Sequence, residues 1–132
     1  MRHFLLFITL TSTLLFAAMQ ERYVDNKLLA SGMKIIDVRT PGEWKETGLL
    51  KGSIPIMFFD ERGGYNVELF MSQLKKHIKG KEQFALICRS GSRSRVVGDF
   101  LSRQYGYDVI NLQGGIKDAI GRQMPIIPYT NK

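Results

Sequence analysis

The chain has 132 residues, a formal net charge of +7 and a single cysteine. That length supports one hydrophobic core, and hence one domain of ordinary size. Cys88 has no second cysteine to pair with, so no internal disulfide forms. With His3 and His77 as the only histidines, a zinc site lacks nitrogen and sulfur ligands of its own.

The first residues read as an address. Met1-Arg2-His3 gives a positive start, residues 4–16 are apolar apart from Thr9, Thr11, Ser12 and Thr13, and Ala17-Ala18 precede polar Gln20-Glu21-Arg22. That order is a secretory signal peptide over residues 1–19, cleaved near residues 17–19, with a single domain at 20–132. The apolar run falls short of the roughly 20 residues that a membrane helix wants, and an uncleaved leader would serve instead as a membrane anchor. No cysteine lies near the cleavage site, which argues against a lipoprotein. The expected location is periplasmic or otherwise exported. Basic charge suits nucleic acid, membranes or small anions. Export disfavours nucleic acid, and no basic stripe is interleaved with aromatics, so small anions remain.

Leu28 and Leu29 suggest a short helix ending at Gly32. Residues 34–38 read as a buried strand. Thr40-Pro41-Gly42-Glu43 then starts a helix, with Thr40 as N-cap, Pro41 in the first turn and Glu43 completing a capping box. Residues 53–58 form a second strand, which Pro55 places near an edge. Val67, Phe70, Met71, Leu74 and Ile78 recur at helical spacing, with Asn66 as cap and Gly80 as stop. Residues 84–88 are apolar throughout and make a central strand. Val96, Val97, Phe100, Leu101 and Tyr105 give the apolar face of a helix ending at Gly106. Residues 109–112 form a last strand, closed by Gln113-Gly114-Gly115. Alternating strands and helices predict an α/β fold: a doubly wound, mainly parallel sheet with helices on both faces.

The chemistry concentrates in Cys88-Arg89-Ser90-Gly91-Ser92-Arg93-Ser94. This segment joins an apolar strand to an amphipathic helix, so Cys88 lies at a strand's carboxyl end, where open α/β sheets bind ligands. Small residues let the backbone N–H groups turn inward, and such a nest feeding a helix start binds anions. The same field favours a thiolate, as do neighbouring arginines. A cysteine ending an apolar strand is ordinarily a small core residue. Buried structural cysteines are not ordinarily followed by five polar or glycine residues that include two arginines. His77 shares a helix side with Lys75, Lys76 and Lys79 and reads as a surface residue, so a Cys–His hydrolase lacks its base. Asp37, Arg39 and Glu43 read as a structural ion-pair and capping cluster, Trp44 as core. Arg95, Asp99 and Arg103 follow a four-residue spacing that needs only a solvated face.

Asp37-Val38-Arg39-Thr40-Pro41-Gly42-Glu43-Trp44, then Gly52-Ser53-Ile54-Pro55, then the Cys88 loop, then Leu112-Gln113-Gly114-Gly115, resembles the single-domain rhodanese (thiosulfate sulfurtransferase) family in order and spacing. The resemblance departs at residues 48–52, where the family usually has a histidine. It implies that Cys88 takes a sulfane sulfur as a persulfide from thiosulfate or a similar donor and passes it to cyanide or a thiol, including a protein acceptor. It further implies that Arg89, Ser90, Gly91, Ser92 and Arg93 cradle the sulfur, with both arginines facing the donor anion. No cofactor and no metal are expected, because sulfite leaves as a stable anion. Two other functions remain open: a persulfide or polysulfide carrier with little turnover of its own, and an inactive interaction module. A related cysteine phosphatase, of the cell-cycle or tyrosine-specific kind, would need arginine at the position of Ser94, and Arg93 comes one residue early.

Overall fold

The computed structural model describes residues 19–130; the leader reading of residues 1–18 lies outside them. Five parallel strands form the main sheet, in the order β1-β6-β5-β2-β4. They are β1 (Gln20–Arg22), β2 (Ile35–Asp37), β4 (Ile54–Pro55), β5 (Phe84–Ile87) and β6 (Val109–Leu112). The helices are α1 (Asn26–Ala30), α2 (Pro41–Thr47), α3 (Val67–His77), α4 (Ser92–Tyr105) and α5 (Gly115–Gly121). The fold is the expected α/β architecture with a parallel sheet. Three features were not foreseen: β1 as an edge strand, α5, and a separate antiparallel ribbon of β3 (Leu49–Leu50) with β7 (Ile126–Ile127).

Pleating sorts the strand residues between two cores. Along β5 and one residue past its end, Phe84, Leu86 and Cys88 join Val97 and Leu101 of α4 and Phe70 and Leu74 of α3. Ala85 and Ile87 point the other way, towards Leu28 of α1 and Ile116 and Ala119 of α5. Each fully buried Leu, Ile or Phe contributes about 1.5–3 kcal/mol of hydrophobic stabilisation. Both faces of β5 are covered, which is why its sequence is an unbroken apolar run. Pro55 sits on the edge strand β4, where its missing N–H costs no inner ladder bond.

In α4 the buried positions are Ser94, Val97, Gly98, Leu101 and Ser102. Val96 and Tyr105, expected on the buried face, are exposed. The true stripe takes its spacing from Ser94 and Val97 and includes small and polar residues that hydropathy overlooks. Side chains cap the first three helices: Asp25 accepts from Leu28 N–H, Thr40 from Glu43 N–H, and Asn66 from Leu69 N–H. The last two begin instead at left-handed glycines, Gly91 and Gly114, with no side-chain cap. Those two helix starts meet at Cys88.

Candidate active site

Cys88 follows β5 directly, at the carboxyl end of a strand flanked by β2 and β6. Its sulfur accepts the Gly91 N–H at 3.1 Å and lies 3.2 Å from the Ser94 hydroxyl. The Gly91 backbone (φ 99) folds the chain back over the sulfur before α4 begins, a conformation that strains residues with a side chain. The first-turn amides of α4 gain no side-chain acceptor, so the loop and the helix dipole present positive potential beside a buried thiol.

The start of α5 secures the other side of the loop. Ile116 N–H donates to the Cys88 carbonyl at 2.9 Å, and Lys117 N–H to the Arg89 carbonyl at 3.1 Å. A Cβ on Gly115 would lie 2.5 Å from the Arg89 carbonyl carbon, so only glycine allows this approach. Gly114-Gly115 is thus more than a turn: it is the seat of the Cys88 loop.

Arg89, Ser90 and Ser92 are exposed on the loop, and Gly91 is buried beneath them. Arg89 borders a cleft of about 70 Å³ that is also lined by Arg39, Glu43, Glu46, Thr47 and Lys117. Arg93, expected with Arg89 to face an anion, pairs with a carboxylate of the protein. Its two terminal nitrogens each donate to a Glu43 oxygen at 2.7 Å. The capping box explains the geometry: Glu43 is held by Thr40, and its remaining acceptor capacity faces α4. This Arg93 hydrogen bond and charge, set against partial burial, hold the Glu43 carboxyl below its ordinary range. Among the described residues no carboxylate pairs with Arg89.

The neighbouring strand end is buried and paired mostly within itself. Asp37 accepts from Arg39 Nε and Nη2 and from Trp44 Nε1, while Arg39 also donates to Thr47 and the Gly48 carbonyl. Asp37 and Arg39 are almost fully buried. The cluster is structural, as expected, except that Glu43 pairs with Arg93. His77 is exposed. Among the described residues no group of three His, Cys, Asp or Glu side chains could hold a metal.

Residue-type reasoning missed a polar chain behind the thiol. Ser94 Oγ lies 2.5 Å from Asn111 Oδ1, and Asn111 Nδ2 donates to Glu21 and to the Gly91 carbonyl. Arg95, expected on a solvated face, is held by Glu21 at 2.6 Å. The available signal was Asn111 itself, a polar residue inside an apolar strand, which must find partners when buried.

A parallel α/β domain with one thiol at a strand end, under an uncapped helix start, defines the class. The family model of the rhodanese-like domain matches residues 20–120, and the chain belongs to that family. Among solved structures, a rhodanese-like domain protein from Staphylococcus aureus is 26% identical, with a TM-score of 0.61 over 83% of this chain and 99% of that one. The reduced CoADR-RHD of Bacillus anthracis is 26% identical over 76% of this chain, with a TM-score of 0.58; the chain spans only 16% of that protein's length. The polysulfide-sulfur transferase homodimer of Wolinella succinogenes shares the fold, with a TM-score of 0.63 at 21% identity over 86% of this chain and 81% of that one. A search of curated proteins finds no significant match.

Proposed function

We propose that the protein is an exported sulfurtransferase that carries sulfane sulfur as a persulfide on Cys88. The observation that carries this reading is the Cys88 sulfur beneath the Gly91 N–H, at a helix start that no side chain caps. Negative charge on that sulfur, or on a second sulfur attached to it, meets N–H groups and an aligned dipole. Membership of the rhodanese-like family supports the same chemistry.

In the first step the Cys88 thiolate attacks the outer sulfur of thiosulfate. An S–S bond forms to Cys88, the S–S bond within thiosulfate breaks, and sulfite departs with the electron pair. In the second step cyanide or an acceptor thiolate attacks the terminal sulfur and releases the Cys88 thiolate. Neither step requires a general acid, a metal or an exogenous oxidant. Exposed Arg89 at the cleft rim steers the donor anion, and the Ser90–Ser92 backbone encloses the transferred sulfur. Arg93 acts through Glu43 to join α4 to α2. Export rests on the charge and hydropathy pattern of residues 1–19.

Intact-mass analysis after incubation with thiosulfate tests the proposal. A gain of one sulfur atom at Cys88, reversed by cyanide, is expected. No gain from thiosulfate, polysulfide or an organic persulfide overturns it. Loading without sustained turnover would identify the carrier form of the same chemistry, and hydrolysis of an aryl phosphate in place of loading would indicate a phosphatase.

A further inference from the structure

Asn111 is fully buried in β6, between Ile110 and Leu112. Pleating puts it on the same side as Val109, facing α4 and the Cys88 loop. A buried carboxamide must satisfy both its ends, and here the two ends have different surroundings. Around Nδ2 lie only acceptors: Glu21 Oε1 at 3.2 Å, Glu21 Oε2 at 3.1 Å and the Gly91 carbonyl at 3.1 Å. Turning the amide over would set its oxygen against a carboxylate and a carbonyl. Burial pushes the Glu21 carboxyl up, but hydrogen bonds from Arg95 and Asn111 outweigh it and hold the group below its usual range. Glu21 therefore stays an acceptor at neutral pH.

With the amide so fixed, Asn111 Oδ1 must accept, and the Ser94 hydroxyl 2.5 Å away is its donor. A hydroxyl has one proton. The other acceptors near Ser94 Oγ are more distant, Cys88 Sγ at 3.2 Å and the Gly91 carbonyl at 3.3 Å. Ser94 consequently turns lone pairs towards Cys88, an arrangement that suits the S–H form and not the thiolate. Donation to the thiolate requires the hydroxyl to leave Asn111.

We propose that Asn111, oriented by Glu21, is a positioning residue that holds the Ser94 proton away from Cys88 and so sets how readily Cys88 carries negative charge. The proposal rests on the reading of Cys88 as the sulfur-carrying thiol. Through Glu21 it makes the first strand of the domain part of the control of the thiol, although β1 supplies no group that touches the sulfur.

The test is the rate of Cys88 alkylation by iodoacetamide as a function of pH, for the wild type, Asn111→Ala, Ser94→Ala and the double variant. Only the thiolate reacts. In Asn111→Ala the freed hydroxyl donates to the thiolate, so alkylation at neutral pH rises roughly three- to tenfold, the scale of one redirected hydrogen bond, and the profile moves to lower pH. On the Ser94→Ala background the same substitution changes nothing. Slower alkylation in Asn111→Ala, or an equal effect on both backgrounds, overturns the proposal and leaves Asn111 as a packing residue. If Asn111→Ala fails to unfold cooperatively, Glu21→Gln replaces it: an amide at position 21 lets Asn111 turn over, with a smaller rise in the same direction that Ser94→Ala again erases. Thiosulfate loading of the wild type separates the two claims. Loading without the Ser94-dependent coupling defeats the positioning role alone; coupling without loading by any sulfur donor defeats the sulfurtransferase reading alone.

Discussion

Two strand-to-helix corners stand side by side at the carboxyl edge of the sheet, and they use arginine in opposite ways. At the end of β2, Arg39 folds back onto Asp37, and the start of α2 is closed by Thr40, Pro41 and Glu43. At the end of β5, Arg89 points out, and the start of α4 has no side-chain cap. The first corner spends most of its donors on its own carboxylate, hydroxyl and carbonyl groups. The second leaves donors open above a buried sulfur. Polar groups at a strand end are available to a ligand when the fold leaves their hydrogen-bonding capacity unspent.

Substitutions that break each corner should therefore fail differently. Cys88→Ser should abolish sulfur loading by intact mass while shifting stability by only about 1 kcal/mol, because the hydroxyl is nearly isosteric. Asp37→Ala should do the reverse: it strands the buried Arg39 charge and costs about 3–5 kcal/mol in urea unfolding. Gly115→Ala joins both outcomes, since its Cβ meets the Arg89 carbonyl at a positive φ of 59. A stability loss of about 1–3 kcal/mol from overpacking is expected, with slower loading as the Cys88 loop is displaced.

Charge swaps sharpen the contrast further. Arg89→Ala should lower the thiosulfate specificity constant roughly tenfold, near the low end for a charged hydrogen bond at an exposed site, and lower that for a less charged organic persulfide by less. Arg93→Ala should lower both equally, because both terminal nitrogens of Arg93 pair with Glu43. The smallest effect belongs to Glu43→Gln, about 0.5–1 kcal/mol at neutral pH. The folded Glu43 carboxyl is held low, chiefly by the Arg93 hydrogen bond. Its contribution is complete above the unfolded value of about 4.3 and is lost as pH falls through the lower folded value. Glu43→Gln should remove that part of the acid sensitivity in chemical unfolding followed between neutral and acid pH.

What the residues alone determined is local. The capping box at Thr40 and Glu43, the Asn66 cap, the stop at Gly106, the apolar β5 and the loop after Cys88 are each written within a few neighbouring positions, where hydrogen bonds and periodicity act along the chain. The parallel α/β class followed from their alternation. The tertiary structure decided which distant groups meet. Glu43 reaches Arg93 across 50 positions and Glu21 reaches Asn111 across 90. The sheet order puts β1 beside β6 and the start of α5 beneath the Cys88 carbonyl. Such contacts depend on strand order and on the closing of long loops, neither of which leaves a trace in the spacing of nearby residues. For that reason the thiol was legible in the chain, while the polar network that orients the groups around it emerged only once β1, β6 and α4 were brought together.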